Sequence, residues 1–310
     1  MQWLTRTPNF NFVKYRRVAM VTSSLLSLLA IVVTIYPGLN YGLEFTGGII
    51  VEAVYTRPAD LDDIRTDLTD AGFETVQAQN IGSSSEVLIR LPPADPNEST
   101  TALQERVFGV LRAQDPGVTL RPPVIVSGQV GDDLFENAGL ALLFALILVF
   151  VYVMVRFRWK LAVGAIVATL HDVLVTTGIF ALAGWSFDLT VLGAILAVLG
   201  YSINDTIVVY DRIRDNFRLM RRGSALEIVN ASVNQTLART LVTGVTSLLV
   251  LFALLFLGGE TLFGFSIVLI IGILVGTYSS IYVASSMALA LEVSPADFIV
   301  TKQEKVDELP

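Results

Sequence analysis

Six stretches of this chain are each long and apolar enough to cross a bilayer, and nothing else in the sequence limits its architecture as much. A helical span needs about 20 mostly apolar residues to cover roughly 30 Å of hydrocarbon. Inside lipid every backbone N–H and C=O must be paired within the protein, so apolar runs of this length are read as helices. They are Val18–Tyr36, Leu134–Val155, Leu161–Ala183, Leu189–Tyr210, Leu237–Leu257 and Leu262–Leu291. Apolar residues make up 53% of the chain and charged ones 16%, against about 45–50% and about 25% in soluble domains. The apolar excess is clustered in the six runs. Lys14, Arg16 and Arg17 precede the first run, as in a secretory signal. That run is longer than a typical h-region and no A-x-A cleavage site follows, so it reads as a retained anchor. There is no cysteine, which excludes disulfides and thiolate chemistry.

The placement of Lys and Arg in short loops predicts orientation. Basic residues precede span 1 (residues 1–17), join spans 2 and 3 (Arg156, Arg158, Lys160) and fill residues 211–236 between spans 4 and 5. Lys302 and Lys305 follow span 6 in the tail 292–310, whose last fifteen or so residues read as frayed. The alternate loops Gly184–Asp188 and Gly258–Thr261 have none. Both termini are therefore expected in the cytoplasm. Residues 37–133 then form one outer domain, with strands at Ile49–Thr56, Glu74–Asn80, Glu86–Leu91 and Val118–Ser127 and helices at Ala59–Ala71 and Ser99–Gln114. Val51, Ala53 and Tyr55 alternate with Glu52 and Val54 on the first strand, while Leu61, Ile64 and Leu68, then Leu103, Val107 and Leu111, are spaced for helices. The order βαββαβ is that of a ferredoxin-like unit. The expected fold is a polytopic helical membrane protein with one α+β extracytoplasmic domain. From Glu44 to Asp133 there are 15 acidic residues and six arginines. They form either a solvated surface or one that handles a basic or unfolded partner.

Ionisable residues inside the spans carry most of the functional information. An Asp near a helix centre costs about 2.5–3.5 kcal/mol on insertion scales, so it is usually paired or functional. His171 and Asp172 lie about eleven residues into span 3, roughly 16 Å along it and near mid-membrane. Adjacent residues on a helix diverge, so these two are expected to meet different neighbours. A lone histidine builds no multi-His metal site, and the sequence implies neither metal nor cofactor. Asp205 lies in span 4 and Arg239 at the start of span 5, at similar depth on adjacent helices, so the two are expected to pair. Such an Asp, balanced between pairing and desolvation, can load and release a proton; the alternative is a static pair that fixes helix register.

Gly272-x-x-x-Gly276, followed by Ser280, gives span 6 a small-residue stripe, and Gly193, Ala197, Gly200 and Asn204 give span 4 another. Both stripes suggest close packing. Ser224-x-x-Glu227 is a capping box expected to start a short interfacial helix, and the arginines before it are expected to meet anionic lipid. Gly38, Gly42, Gly47, Gly48 and Gly131 lie in the two tethers of the outer domain and permit hinge dihedrals.

These residues also resemble a known family. Gly42-Leu-Glu-Phe-Thr-Gly-Gly48, His171-Asp172, the run from Gly200 to Arg214 and Asn234-Gln-Thr-Leu-Ala-Arg-Thr240 together resemble the SecF side of the SecD/SecF protein-export family, which is related to RND transporters. Glu44 stands where that family usually has Asp, and the charge is kept. The resemblance implies a multi-pass subunit in the bacterial inner membrane that assists secretion using the proton motive force. It implies SecD as obligate membrane partner, the SecYEG channel beside it and an exported unfolded polypeptide as client, with surrounding membrane lipid and no nucleic acid. The family's proton-conducting carboxylate and arginine fall on Asp205 and Arg239. A competing reading, half of an RND-type small-molecule or lipid pump, also explains Asp205; such pumps usually join two halves with much larger outer loops. An intramembrane protease has little support, since no Ser has a general base and no metal motif is present.

Overall fold

The computed structural model describes residues 8–73, 76–81, 83–92, 100–126, 128–220 and 223–298. Among them, six helical stretches can span a membrane: Phe12–Ile35, Gln129–Arg156, Trp159–Leu182, Leu189–Leu219, Ala225–Leu257 and Thr261–Ala290. In chain order the helices are α1 (Arg16–Ile35), α2 (Leu43–Thr46), α3 (Leu61–Asp70), α4 (Thr100–Gln114), α5 (Gly128–Arg156), α6 (Trp159–Leu182), α7 (Leu189–Leu219), α8 (Ala225–Leu257), α9 (Gly259–Ser279) and α10 (Ser285–Ala290). A π-helical turn, Ser280–Ala284, joins α9 to α10 within the last span. About half of the most apolar stretch of α6, α7 and the last span is buried within the chain (56%, 50% and 50%), against 17%, 6% and 17% for α1, α5 and α8. The first three therefore form the centre, and the others keep apolar faces outward, as lipid permits.

The spans extend beyond their apolar runs. Residues 211–236, expected to be a loop, are mostly helix: α7 continues to Leu219 and α8 starts at Ala225. No Gly or Pro interrupts 201–219, and charged residues are good helix formers once outside lipid. The Ser224–Glu227 capping box is present, but it opens α8 itself and not a separate interfacial helix. Arg221 and Arg222 lie outside the described residues. The tail is also more ordered than its composition suggests. Val293 and Phe298 are buried, Phe298 stacks 5.3 Å from Phe217, and Lys160 holds Asp297 at 2.9 Å. Residues 299–310 lie outside the described set.

The extramembrane domain is a five-stranded antiparallel sheet backed by α3 and α4. After β1 (Asn40–Tyr41) come β2 (Gly48–Val54), β3 (Gln77–Ile81), β4 (Ser83–Leu91), β5 (Thr119–Leu120) and β6 (Val124–Val126). The sheet order β3-β4-β2-β5, with β6 also on β2, is that of an interleaved βαββαβ unit. Val51 and Ala53 on β2 and Val87, Ile89 and Leu91 on β4 point inward against Ile64, Leu68, Val107 and Leu111. The last strand, expected as one piece over Val118–Ser127, is split. Arg121-Pro122-Pro123 interrupts it because proline cannot donate to the ladder. Ser127 and Glu74 lie outside the described residues.

Asp115 pins the end of α4 to the end of β2. Its carboxylate accepts from Thr56 Oγ1 (2.7 Å), Thr56 N (2.8 Å) and Gly117 N (2.9 Å). The Thr56 hydroxyl, and then these two amides, hold the carboxyl below the usual aspartate range. A carboxyl lowered in the folded state stabilises above its unfolded value of about 3.9, and that contribution is lost as pH falls through the folded value. Limited proteolysis of the full chain should show the domain loosening as pH drops below about 4. Asp115→Asn should be looser at neutral pH and lose that acid dependence. An unchanged acid profile in the variant would assign the effect to another group.

Candidate functional site

The centre of the membrane region holds two adjoining clusters of buried polar side chains drawn from four spans. Asp172, Ser202, Ser279 and Ser280 have no exposure, Thr240 has 1%, and His171 and Asp205 have 5% and 6%. Asp172 of α6 accepts on Oδ2 from Ser202 of α7 and from Ser279 of α9 at 2.6 Å. Asp205 of α7 accepts on Oδ2 from Ser280 at 2.5 Å and on Oδ1 from Thr240 of α8 at 2.6 Å. Ser279 and Ser280 are consecutive, and side chains one residue apart on a helix diverge by about 100°. One serine therefore reaches the carboxylate on α6 and the other the carboxylate on α7.

Each bridging hydroxyl also has a second acceptor. Ser279 Oγ lies 3.1 Å from the carbonyl of Gly276, and Ser280 Oγ lies 3.1 Å from that of Thr277. A hydroxyl has one proton to donate and two lone pairs to accept with. When the aspartate is ionised, the serine donates to it. When the aspartate carries a proton, it donates to Oγ and the serine proton turns to the backbone carbonyl. Both protonation states are satisfied without moving a heavy atom, so neither leaves an orphaned buried group.

The π-helical turn begins at Ser280, at the point of contact. Local chemistry favours it: Tyr210, fully buried on α7, donates to the carbonyl of Ala284 at 2.8 Å. A Cβ at Gly164 would collide with that hydroxyl. Such turns carry helix carbonyls that lack the normal partner and recur at functional sites.

Two expectations are corrected here. His171 and Asp172 do not meet separate neighbours: His171 Nδ1 lies 2.9 Å from Asp172 Oδ1. The imidazole folds along the helix onto the adjacent carboxylate, which a short apolar neighbour could not have invited. Its Nε2 has no hydrogen-bond partner among the described residues, and the ring borders an apolar cavity of about 410 Å³ between α1, α6 and α9. Asp205 and Arg239 do not form an ion pair. Thr240 occupies the position facing Asp205, and the preceding residue, Arg239, turns outward, exposed but within electrostatic reach.

The glycine stripes also separate. A Cβ at Gly272 would strike Val198, while one at Gly276 would only touch Ser202 and Asp172 at 3.4–3.6 Å, so span 6 turns its stripe toward α7 and needs the glycine at 272. On α7 the stripe Gly193, Ala197, Gly200 and Asn204 is exposed, with nothing within 4 Å of a Cβ at Gly193 or Gly200. At the other end of the domain, the segment Gly42–Gly48 is packed. Asn40–Tyr41 pairs with β7 (Ser186–Phe187) in the α6–α7 loop. Glu44 lies 3.8 Å from Arg90, Gly47 takes φ 73°, and a Cβ at Gly131 would meet the Phe45 carbonyl at 2.6 Å. The two tethers are thus stacked on each other. Nothing in the sequence marks the hydroxyls of Ser202, Thr240, Ser279 and Ser280 as carboxylate partners. The nearest signal is the pair Ser279-Ser280 in an apolar span, of which Ser280 reads only as a small residue.

Comparison with known proteins follows this geometry. Residues 110–294 match the family "Protein export membrane protein SecD/SecF, C-terminal", and residues 37–59 match the SecD/SecF GG motif. All the buried polar residues above lie in the first match, and Gly42–Gly48 in the second. The chain is 42% identical to the protein translocase subunit SecF of Pseudomonas aeruginosa over 303 residues, covering 97% of each. It is 43% identical to the SecF subunit of Vibrio alginolyticus, covering 100% of this chain and 99% of that one. A crystal structure of SecDF from Thermus thermophilus, described as a translocon-associated membrane protein, superposes with a TM-score of 0.80 at 38% identity. A SecDF structure in a super-membrane-facing form gives 0.74 at 37% identity. Each match covers 94% of this chain, which spans 40% of the length of those structures.

Proposed function

The chain belongs to the SecF branch of the SecD/SecF family of protein export membrane proteins, and from that premise we propose that it is one half of a proton-driven export motor of the bacterial inner membrane. In this reading its partner is a SecD-type protein, it works beside the SecYEG channel with both termini cytoplasmic, and its client is an exported unfolded polypeptide. The observation that carries the proposal is the pair of buried aspartates held by consecutive serines of one helix, Asp172 by Ser279 and Asp205 by Ser280. Asp205 takes up and releases the proton, with the exposed Arg239 beside it within electrostatic reach. Asp172 and His171 sense the same event through the adjacent serine. Each proton moved down the membrane potential releases roughly 2.3 kcal/mol per 100 mV, enough to bias packed helices between two arrangements.

The exposed stripe on α7 supports the partner. Asn204 and Arg239 face outward from apolar spans, where lipid would solvate neither, and the glycines beside Asn204 leave room for a closely approaching helix. In a strain depleted of its own copy, the chain should restore export only when a SecD-type partner is co-expressed. Gly200→Leu should then prevent co-purification of the partner while leaving this chain folded, since Gly200 is exposed and a Cβ there meets nothing within 4 Å among the described residues. Full activity of the lone chain, or a Gly200→Leu variant that still assembles, contradicts the pairing.

A further inference from the structure

Where the first span starts and the last one ends, a cavity of about 810 Å³ opens between the starts of α1, α6 and α8 and the end of α10. Met20, Leu226 and Leu289 line its apolar wall, and Arg16, Arg17 and Lys160 stand at its rim. Lys160 is engaged by the carbonyl of Glu292 (3.0 Å) and by Asp297 (2.9 Å). Arg16 and Arg17 have no carboxylate partner among the described residues.

This arrangement is electrostatically incomplete. Three helices begin at the cavity, so three positive dipole ends point toward it. The first turns of α1 and α6 contain no acidic residue and neither has a side-chain cap. Cations at positive helix ends repel; Glu227 of the capping box offsets the start of α8 and Asp297 engages Lys160, which leaves Arg16 and Arg17 without a carboxylate among the described residues. The depth indicates what the anion is. Tyr15 and Trp159 are exposed at this level, and exposed Val18 follows directly, which places the rim at the polar–apolar boundary of a bilayer. A soluble phosphate would satisfy the guanidinium groups but leave the apolar wall wet. A lipid fills both. Glu292 is exposed at the rim, where its carboxylate can accept from headgroup hydroxyls.

We propose that this cavity binds one anionic phospholipid of the adjacent leaflet, with its phosphodiester between Arg16 and Arg17 and an acyl chain along Met20, Leu226 and Leu289. The site depends on the six-span fold and not on the export reading. Basic pockets between helix ends hold anionic headgroups by the same combination of charge and apolar area.

Native mass spectrometry of the full chain tests this, with phosphatidylglycerol and phosphatidylcholine of matched chains offered together and inorganic phosphate added separately. One phosphatidylglycerol should be retained at least about tenfold over phosphatidylcholine, unaffected by millimolar phosphate. Arg16→Gln with Arg17→Gln should abolish the preference, and the double Lys variant should keep much of it, since charge is retained. Arg121→Gln, on the extramembrane sheet, should change nothing. Equal retention of the two lipids, displacement by inorganic phosphate, or an equal loss in Arg121→Gln would overturn the proposal.

Discussion

Replacing Asp205 by Asn should leave the protein folded and assembled yet remove the gradient-driven part of export. The amide keeps the shape of the carboxylate, accepts from Ser280 or Thr240, and carries no charge to desolvate, so insertion and packing are eased. What it cannot do is exchange a proton. At 100 mV, roughly 2.3 kcal/mol per proton corresponds to about fifty-fold in a rate or equilibrium constant. Export measured with and without an uncoupler should differ by that order in the parent chain and not at all in the variant. Equal uncoupler sensitivity in both would remove Asp205 from the mechanism.

Joining the extramembrane domain to the membrane rim should have an effect of the same size. Gln77 on β3 reaches Ser186 on β7 at 3.4 Å, the point where sheet and rim touch. The chain has no cysteine, so a Gln77→Cys, Ser186→Cys pair carries the only two thiols. A short bis-maleimide linker across them should stop gradient-driven export, whereas the same pair capped singly should export normally. Adding Asp205→Asn to the linked protein should cost little more, because groups acting in one coupled step are not additive. Normal export by the linked protein would make the domain a passive surface, and the stacked glycine tethers a structural joint and not a hinge.

The two perturbations act far apart in the molecule, and the sequence disclosed them unequally. The spans, the sheet order and the intramembrane carboxylates were legible because each follows from a strong local rule: apolar length, alternation, and the cost of charge in lipid. The extension of α7 and α8 past their apolar runs was not, since charge patterning marks where lipid ends and not where a helix ends. The break at Pro122-Pro123 is legible, because two prolines remove two ladder donors from the last strand. The partners of the aspartates depended on side-chain direction at single-residue resolution. Arg239 and Thr240 are neighbours, and a helix turn of about 100° decides which of them meets Asp205. Charge favoured the arginine, but geometry selected the threonine. The same step separates Ser279 from Ser280 and lets a single helix serve both carboxylates.

Proton flux tests the central claim most directly, because it omits client, channel and assembly in the cell. The chain, reconstituted with a SecD-type partner in vesicles carrying an internal pH-sensitive dye, is given an acid pulse outside. The parent protein should acidify the lumen, and Asp205→Asn should fall to the rate of empty vesicles. Ser280→Ala should lie between them, since it removes one hydroxyl from Asp205 Oδ2 and leaves Thr240 on Oδ1. An Asp205→Asn protein that conducts protons at the parent rate would contradict the account.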